Sequence, residues 1–402
     1  MRLLVVSSWF PYPPDNGSKL RAWHLVQQLA RRHDVTLLSF AEPDEASPAA
    51  RQIVEGCCRE LVVVPGNPHK PRGRLSWRGF VGRMPRSYAQ TYSDAMAREV
   101  RSRASKADAA VALQIGAAVY FTDAACGHPR LPRVFDEVET AVIHERWRTA
   151  TSRLARLRHG LTWRKYGRFT RFLIDELSHA TTVSAPERQL LESMGCDLSK
   201  VSVVPNAVDA TSLQVHEDKV ADRLIHPGAV AYGPNLDAMR YFSSDILPRI
   251  RARRPGVCIQ ITGTHDGVPE ASLPAGDGIL YTGHVADVRP LIAASPVCVV
   301  PLRQGGGTRL KILEAMALGT AVVATSKGAE GLDVTPGVDI LIADDAEAFA
   351  EAVLGLLGDP ARAARQAAAA RDLIRRQYTW DHAGAQLEAA LQRAITYEAS
   401  QR

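Results

Sequence analysis

Residues 299–319, VVPLRQGGGTRLKILEAMALG, join an apolar strand-like run to a helical pattern through three consecutive glycines. Glycines let the backbone come close to a ligand, and the free N–H groups at a helix start favour an anion. We expect a helix that Thr308 caps and Gly319 ends. Lys311 and Glu314 lie three residues apart on this helix and therefore share a face. The pattern predicts a strand–turn–helix unit that binds phosphate.

Two cations and one carboxylate make this prediction more specific. Arg309 and Lys311 add positive charge to the first turn of the helix, and Glu314 follows one turn later. The cationic end suits a diphosphate, whereas a carboxylate accepts two hydroxyl donors from a ribose. The alternative is a glycine-rich turn without a ligand, but charged groups beside an apolar strand end usually have a partner. We therefore expect a nucleotide diphosphate at this unit.

Outward from this unit, short β-branched runs alternate with helical patterns, which is typical of parallel α/β architecture. In the first half, strands are predicted at residues 3–7, 35–40, 61–64, 109–113, 133–135 and 180–183, and a helix at 18–32 that Ser18 caps. In the second half, strands are predicted at 224–226, 257–261, 279–281, 297–300, 321–324 and 340–341. Polar sequence after residue 209 places a boundary near residue 206, between domains 1–205 and 206–402. Both domains are predicted to be doubly wound, with a ligand cleft between their facing strand ends.

The composition is that of an ordinary globular protein. Of the 402 residues, 46% are hydrophobic and 23% are charged, which excludes wholesale disorder. The longest weakly polar run, residues 109–121, is shorter than the roughly 20 residues of a membrane span. The N-terminal apolar run leads into Pro11 and not into a small-residue cleavage site, which disfavours a signal peptide. Six cysteines without metal-binding spacing predict reduced core thiols in a cytoplasmic protein.

Positive charge is concentrated in two clusters. The net charge is +6, from 49 basic and 43 acidic residues. Six basic residues lie between Lys70 and Arg86 without an acid, and nine lie within residues 144–172 against Glu145 alone. The second cluster also contains Trp147, Leu154, Leu157, Leu161 and Trp163. Basic and apolar side chains together suit the headgroup region of an anionic membrane. The alternatives are a solvated helix face whose leucines turn to the core, or nucleic acid, which the absence of a recognition motif disfavours.

The chain resembles the family 4 retaining glycosyltransferases of the GT-B fold, and the resemblance covers nearly its whole length. The glycine-rich segment is similar to the family's Glu-x7-Glu region, and YPPDNG at residues 12–17 is similar to the opening of transferases from exopolysaccharide loci. The other matching segments are TTVS at 181–184, VPNAVD at 204–209, residues 228–235, 261–263 and 283–285, and YTW at 378–380. The resemblance implies that the last helix, at about 380–398, packs back on the N-terminal domain.

The fold and reaction that this resemblance implies are those of a two-domain transferase. Two Rossmann-like domains face each other, the first binding the acceptor and the second the nucleotide sugar. The reaction moves a sugar from a nucleotide diphosphate donor to a hydroxyl acceptor with retention, in exopolysaccharide or other cell-surface glycan synthesis. A lipid-linked acceptor would make the protein peripheral at the inner face of the membrane. No Asp-x-Asp triad occurs, so we expect neither a metal nor a cofactor, because a cationic helix end can neutralise the leaving diphosphate.

Two other functions are compatible with the same motifs. A GT-B nucleotide-sugar epimerase would act on the donor alone, and a non-catalytic protein would bind nucleotide or carbohydrate without turnover. A dinucleotide oxidoreductase is disfavoured, since no Gly-x-Gly-x-x-Gly follows the first strand. Lone histidines such as His24 and His226 are predicted to be packing or surface residues.

Two departures from the family pattern affect the donor site. Glu314 matches the second family glutamate, but Gly306 stands where the first is expected, so backbone N–H groups or Arg303 would contact the donor sugar. Residues 228–235, GAVAYGPN, lack the basic pair that is usual in the family, so Arg309 and Lys311 are predicted to replace it. The resemblance also assigns donor contacts to Gly17, Gly263, Val285, Gly305, Gly307 and Thr308.

Catalytic residues are predicted in both domains. Asp136, Glu137 and Glu139 follow the strand at 133–135, where a carboxylate could orient or deprotonate an acceptor hydroxyl, and Asp136 and Glu139 are the predicted catalytic residues. The alternative is that these acids only complement a helix dipole. Family members often place a histidine near this point, and His144 is the nearest one here. Lys311 is predicted to stabilise the leaving diphosphate.

Overall fold

The computed structural model describes residues 1–69, 82, 84–209 and 218–401. The chain divides into two compact units, Met1–Asn206 together with Trp380–Arg402, and Ala207–Thr379. The predicted boundary between residues 205 and 206 lies one residue before this division, and the residues from Trp380 onward belong to the first unit. Most of the basic cluster between Lys70 and Arg86 lies outside the described residues.

The first unit is built on a parallel sheet in the order β3-β2-β1-β4-β5-β6-β7. Its strands are β1 (Arg2–Ser7), β2 (Asp34–Ala41), β3 (Glu60–Pro65), β4 (Ala109–Leu113), β5 (Arg133–Asp136), β6 (His179–Thr182) and β7 (Val201–Val203). Each strand predicted for this half is present within one residue of its predicted bounds, because apolar β-branched runs mark strands that are covered on both faces. The chain leaves β1 toward β2 but leaves β4 toward β5, so the winding reverses between β1 and β4.

The helices of the first unit are α1 (Gly17–Ala30), α2 (Pro48–Glu55), α3 (Arg86–Thr91), α4 (Asp94–Ala104), α5 (Ile115–Ala118), α6 (Asp123–Cys126), α7 (Ala141–Arg148), α8 (Arg153–Glu176) and α9 (Ala185–Ser193). The prediction that Ser18 caps α1 is wrong. Asn16 is the cap, and its Oδ1 accepts the Lys19 N–H at 3.0 Å. Asn16 has the extended backbone that a cap requires, whereas Ser18 already lies inside the helix.

The second unit contains a parallel sheet in the order β10-β9-β8-β11-β12-β13. Its strands are β8 (Arg223–His226), β9 (Cys258–Thr262), β10 (Ile279–Gly283), β11 (Val297–Val300), β12 (Ala321–Ala324) and β13 (Leu341–Ile342). The chain leaves β8 toward β9 and leaves β11 toward β12. The winding of this sheet therefore reverses between β8 and β11.

The helices of the second unit are α10 (Gly233–Tyr241), α11 (Leu247–Arg253), α12 (Arg289–Ala293), α13 (Leu310–Ala317), α14 (Ala346–Gly358) and α15 (Pro360–Gln377). A π-helical stretch, Phe242–Ile246, joins α10 to α11. The prediction that Thr308 caps the helix after the glycines is wrong, because α13 begins one residue later and Arg309 occupies the cap position. Gly319 follows the helix with a φ of +72°, the left-handed conformation that ends helices.

The last helix, α16 (Trp380–Ser400), packs on the first unit against α1. His33 Nε2 and Glu388 Oε2 lie 2.7 Å apart across this contact. A Cβ added to Gly384 would lie 2.8 Å from Gln28 Cβ, so glycine lets the two helices approach closely. Among the helices of the described chain, none combines the length and the apolar character that crossing a membrane requires.

Candidate functional site

The loops that follow β8 and β11 flank the point where the winding of the second sheet reverses. The first, residues 227–232, leads into α10, and the second, residues 301–309, leads into α13. Ligands of open parallel sheets bind at the carboxyl strand ends at such a point. The structure brings nine predicted donor residues to this edge: Gly263, Arg303, Gly305, Gly306, Gly307, Thr308, Arg309, Lys311 and Glu314. We call this region the β8/β11 site.

The glycine loop is held in place by the side chain of Arg309. Gly305 has a φ of +105°, and a Cβ there would lie 3.2 Å from the Pro234 ring, so the loop requires glycine at this position. The buried Arg309 guanidinium donates to the carbonyl oxygens of Gly305 at 2.6 Å and Gly307 at 3.0 Å, and also to that of Gly306. These bonds give Arg309 a part in ordering the loop, and its contact with the diphosphate stays a prediction. Because Arg309 precedes the helix, its side chain turns back to order the loop.

Lys311 supplies the cation that reaches the space between the two loops. Its Nζ lies 2.8 Å from Asn235 Oδ1 and 3.1 Å from His226 Nε2. His226 Nδ1 lies 2.9 Å from the Val299 carbonyl oxygen, which only accepts, so Nδ1 carries the proton and Nε2 accepts from Lys311. Burial, and then the Lys311 charge, hold the pKa of His226 well below its usual value. The sequence-based assignment of His226 to packing missed this contact.

The same burial changes the proton affinity of Lys311. The pKa of Lys311 is lowered to about 7 in total: desolvation is the largest cause, the Arg309 charge acts in the same direction, and Cys298 and Glu314 oppose it. Its two hydrogen-bond partners given above are neutral. A cation of this kind gains strongly from an anionic ligand, because the ligand supplies the countercharge that the protein does not place within hydrogen-bonding distance.

Glu314 lies beside Lys311 on α13, as its spacing predicts. Burial raises the pKa of Glu314 to about 7, while the charges of Lys311 and Arg289 oppose that rise. Arg289 itself pairs with Asp287, at 2.8 Å between Nε and Oδ1. When it is ionised, the Glu314 carboxylate can accept hydrogen bonds from hydroxyl groups.

Three further predicted donor residues contribute in different ways. Thr308 Oγ1 is buried without a hydrogen-bond partner in the part of the chain that the structure describes. Gly263 has a φ of +93°, and a Cβ there would lie 2.6 Å from the Ala229 nitrogen, so it allows the β8 loop to lie close to β9. Val285 is partly exposed two residues beyond the end of β10.

Arg303 is already engaged within the second unit. Its guanidinium pairs with Asp237, at 2.6 Å between Nη2 and Oδ1, and lies 4.6 Å from the centre of the Tyr241 ring. These contacts fix the side chain against α10. A role for Arg303 in place of the missing glutamate would require it to contact the sugar while keeping Asp237.

In the first unit, the structure contradicts a catalytic role for Asp136. Both Asp136 and Arg21 are fully buried, and they form a two-bond pair at 2.7 and 2.9 Å. Asp136 also accepts from Thr181 Oγ1 at 2.6 Å, and Arg21 also donates to the Val204 carbonyl at 3.0 Å. The carboxylate thus ties α1 to β5 and β6 and cannot reach an acceptor.

The next residue, Glu137, combines an unusual backbone conformation with a raised pKa. Its φ is +63°, and Gln114, at the end of β4, has a φ of +73°. Left-handed backbone in residues other than glycine is strained and often marks a functional site. Burial raises the pKa of Glu137 well above its usual value, against the opposing charge of Arg21 and a hydrogen bond with the Gln114 side chain. The run of acids after β5 pointed to this place, but only the backbone geometry distinguishes Glu137.

The other predicted residues of the first unit are at least partly exposed. Glu139 is exposed, and its carbonyl accepts from the Tyr166 hydroxyl at 3.1 Å. The His144 ring lies 4.8 Å from that of Trp163 and makes an edge contact with Trp147. Gly17 is the exposed first residue of α1, so its N–H is at a helix start as predicted.

Within the described ranges, no group of three or more His, Cys, Asp or Glu side chains is arranged to hold a metal ion.

Two family models match the chain in succession. Glycosyltransferase Family 4 matches residues 16–212, and Glycosyl transferases group 1 matches residues 221–359, so together they account for most of the chain. The glycogen synthase of Mycobacterium tuberculosis is 25% identical over 94% of this chain and 92% of its own length.

Other curated relatives match over shorter stretches. The chain is 27% identical to a D-inositol 3-phosphate glycosyltransferase of Mycolicibacterium paratuberculosis, over 52% of this chain and 51% of that protein. It is 30% identical to a phosphatidyl-myo-inositol mannosyltransferase of Mycolicibacterium smegmatis, over 50% and 53%. The chain thus spans about half the length of these two relatives.

A solved structure shares the fold over nearly the whole chain. HepE of Anabaena, in complex with UDP and glucose, superposes with a TM-score of 0.69 at 15% identity, over 98% of this chain and 99% of that one. This likeness and the two parallel-sheet units establish the GT-B fold. Since the two family models also match in order along these units, the chain belongs to the family 4 glycosyltransferases, a family of glycosyl-transfer enzymes.

Proposed function

We propose that this protein transfers a sugar from a nucleotide diphosphate donor to a hydroxyl acceptor, in exopolysaccharide or other cell-surface glycan synthesis. The observation that carries the proposal is Lys311, a half-buried cation at the β8/β11 site whose hydrogen-bond partners there, His226 and Asn235, are neutral. The names of relatives support it, since HepE is described in complex with UDP and with glucose. The family resemblance adds retention of the anomeric configuration.

Two parts of the donor are expected to contact the two charged groups of α13. The Lys311 ammonium and the N–H groups of the glycine loop face the diphosphate, and Thr308 Oγ1 donates to it. Glu314 accepts from the ribose hydroxyls one turn further along. Gly306 leaves space where the family places a glutamate, so backbone N–H groups are the proposed contact of the donor sugar.

Bond cleavage would depend mainly on the leaving diphosphate. Negative charge builds on that group as the glycosidic bond to it breaks, and a fixed cation in a desolvated site stabilises it well. Lys311 supplies this charge, so we propose that transfer needs no divalent metal. Activity that survives chelation of divalent ions by EDTA would support this part, and activity restored only by added Mg²⁺ would contradict it.

The acceptor hydroxyl is proposed to bind at the strand ends of the first unit. The Glu137 carboxylate is protonated more readily than an ordinary carboxylate. Near neutral pH it can therefore donate a hydrogen bond to the hydroxyl oxygen of the acceptor substrate or take up the proton of that hydroxyl. Glu139 lies two residues away and is exposed. We further propose that the acceptor is lipid-linked and that the protein is peripheral at the cytoplasmic face of the membrane. The name of one relative, a phosphatidyl-myo-inositol mannosyltransferase, supports a lipid-linked acceptor.

The test is a panel of nucleotide sugars, scored by calorimetry for binding and by chromatography for turnover with and without acceptors. We expect one donor to bind and to be hydrolysed slowly without acceptor, and Lys311→Met to lose that binding. Conversion of the donor to an epimer without acceptor would identify an epimerase. Tight binding with neither hydrolysis nor transfer would favour a carbohydrate- or nucleotide-binding protein, and a panel in which nothing binds would refute the donor site.

A further inference from the structure

Helix α8 carries two separate apolar faces, about 120° apart around its axis. Tyr166, Phe169 and Leu173 are buried against the first unit. On the other face Leu154, Leu157 and Leu161 are 78%, 62% and 58% exposed. The alternative that these leucines face the core is therefore wrong. Three large apolar side chains on one exposed helix face are a feature that folding alone does not explain.

The three leucines form a short stripe with basic residues on both sides. At 100° per residue they fall within an arc of about 60°, and they span about 10 Å along the axis. Arg158 and Lys165 follow on one side of the stripe, and Arg153 and Arg164 on the other. The sequence contains no acidic residue between Glu145 and Asp175. We call this arrangement the leucine–arginine face.

Ion pairs are sparse among the exposed arginines of α8 in the part of the chain that the structure describes. Within the described chain, Arg153, Arg156, Arg158, Arg164 and Arg168 form no ion pair. Exposed arginines of the second unit behave differently, since Arg249 pairs with Glu347 at 3.0 Å and Arg253 pairs with Glu351. The positive charge of these α8 arginines therefore remains available to attract an anionic partner.

Aromatic rings border the same face. Trp147 on α7 stacks on Trp163 with 6.5 Å between ring centres. A Cβ at Gly160 would lie 3.0 Å from Trp147 Nε1, so the glycine gives the indole room beside α8. Trp147, Leu157 and Leu161 line one shallow pocket of about 290 Å³ together with arginines. Indole rings favour the boundary between headgroups and acyl chains, because one end is apolar and the other donates a hydrogen bond.

We propose that the leucine–arginine face docks on an anionic lipid bilayer, with the leucines inserted among the acyl chains and the arginines on the headgroup phosphates. A basic amphipathic helix of this type lies in the plane of the interface with its apolar side a few ångströms deep. Nucleic acid would use the arginines but would leave the three leucines in water, so it fits the face less well. The docking itself does not depend on sugar transfer; only its purpose, access to a lipid-linked acceptor, rests on the proposed function.

The experiment is flotation of the full chain with vesicles of phosphatidylcholine containing 30% phosphatidylglycerol, at about 50 and 500 mM salt, where electrostatic attraction is weakly and strongly screened. We expect binding at low salt, weaker binding at high salt, and none to phosphatidylcholine alone. The triple variant Leu154→Gln, Leu157→Gln, Leu161→Gln should lose at least about tenfold in partition coefficient, because apolar insertion is removed. Its melting temperature should not change, since these side chains are already exposed.

The matched control is Leu280→Gln, because Leu280 is 50% exposed on β10 of the second unit. This variant should bind vesicles like the unmodified protein. No binding to the anionic vesicles at low salt would overturn the proposal, as would binding that the triple variant keeps in full. Binding to duplex DNA or RNA without vesicle binding would overturn it in favour of nucleic acid. Donor affinity, measured without lipid, should be the same in all variants, so a failure of the donor site would be seen separately.

Discussion

Replacing Lys311 by methionine tests the donor site most directly. Methionine has a similar length and no charge, so it fills the space between Asn235 and His226 without a cation. If Lys311 holds the diphosphate, the variant loses one charge-assisted hydrogen bond made to the ligand. Such a bond contributes about 1.5–3 kcal/mol, which corresponds to roughly 10- to 150-fold in dissociation constant.

The pH dependence of donor binding gives a second, sharper result. The pKa of Lys311 is lowered to about 7 in the free protein, and a bound diphosphate would raise it. Binding therefore takes up a proton above pH 7, and affinity should fall by up to about tenfold per pH unit as the pH rises above 7. In Lys311→Met this decline should vanish. Glu314 also has a pKa of about 7 and titrates in the same range, so the profile of Glu314→Gln is measured alongside.

The lowered pKa of Lys311 should also make the free energy of unfolding of the ligand-free protein depend on pH. Between pH 7 and about 10 the unfolded chain binds the Lys311 proton and the folded chain does not, so the free energy of unfolding should rise with pH over that range. Lys311→Met removes this contribution and should flatten the rise. Chemical denaturation at several pH values measures it.

Isothermal titration with an intact nucleotide sugar between pH 6.5 and 9 is the assay, because its diphosphate has no free phosphate group that titrates near pH 7. The control is Lys219→Met. Burial lowers the pKa of Lys219 to about 8, but its Nζ is held by the carbonyls of Ala293 and Gly319, beyond the opposite edge of the sheet. An affinity in the unmodified protein that changes less than threefold over this range, or a variant that keeps the decline, would refute the role of Lys311.

Three further changes separate the roles of neighbouring groups. Glu314→Gln should weaken nucleoside and nucleotide-sugar binding equally, by about 10-fold or more, since its partner is the ribose; a loss confined to the diphosphate ligand would contradict this. Arg309→Ala should lower the melting temperature and weaken both ligands, because the glycine loop loses the guanidinium that holds three carbonyls; unchanged stability would show that the loop orders itself. Asp136→Asn should cost about 3–5 kcal/mol in chemical denaturation, since Arg21 is left buried without its countercharge; a change in kcat with full stability would restore Asp136 as a catalytic residue.

The sheets were the most predictable part of the molecule. Each strand of a parallel sheet covered on both faces is an apolar run, so β11 and β12 are found at their predicted bounds. Helix starts were less predictable, because asparagine and serine both cap well and only the backbone conformation selects Asn16 over Ser18. The start of α13 was predicted one residue too early, so Thr308 was expected at the cap position that Arg309 occupies.

Side-chain direction was the part that the sequence did not determine. Arg309 and Lys311 are two residues apart, yet one turns back to its own loop and the other reaches across to β8. Asp136 and Glu137 are adjacent, and the strand's alternation sends the first into the core. The backbone of Glu137 then adopts a φ near +60°, and residue propensities do not predict this conformation for a glutamate. A reader of the sequence could have noticed that His226 ends a strand beside the glycine loop, but its link to Lys311 requires the pairing of β8 with β11.

Residues 228–235 lack a basic pair, and Lys311 on α13 supplies positive charge beside them instead. A Cβ at Gly228 would lie 2.9 Å from Lys311 Nζ, so the ammonium occupies the space directly beside the β8 loop. The charge thus reaches that loop from the neighbouring strand's helix and not from the loop itself. Gly228 has a φ of +130°, which side chains rarely adopt, so the backbone as well as the space beside the ammonium favours glycine there. A neutral His226 accepts from Lys311 without adding a second positive charge. We therefore expect Gly228→Ala to displace Lys311 and to weaken nucleotide-sugar binding without affecting vesicle binding. Donor titration of Gly228→Ala beside Lys311→Met checks this, since a double variant should be no weaker than Lys311→Met alone, and additive losses would show that Gly228 acts by another route.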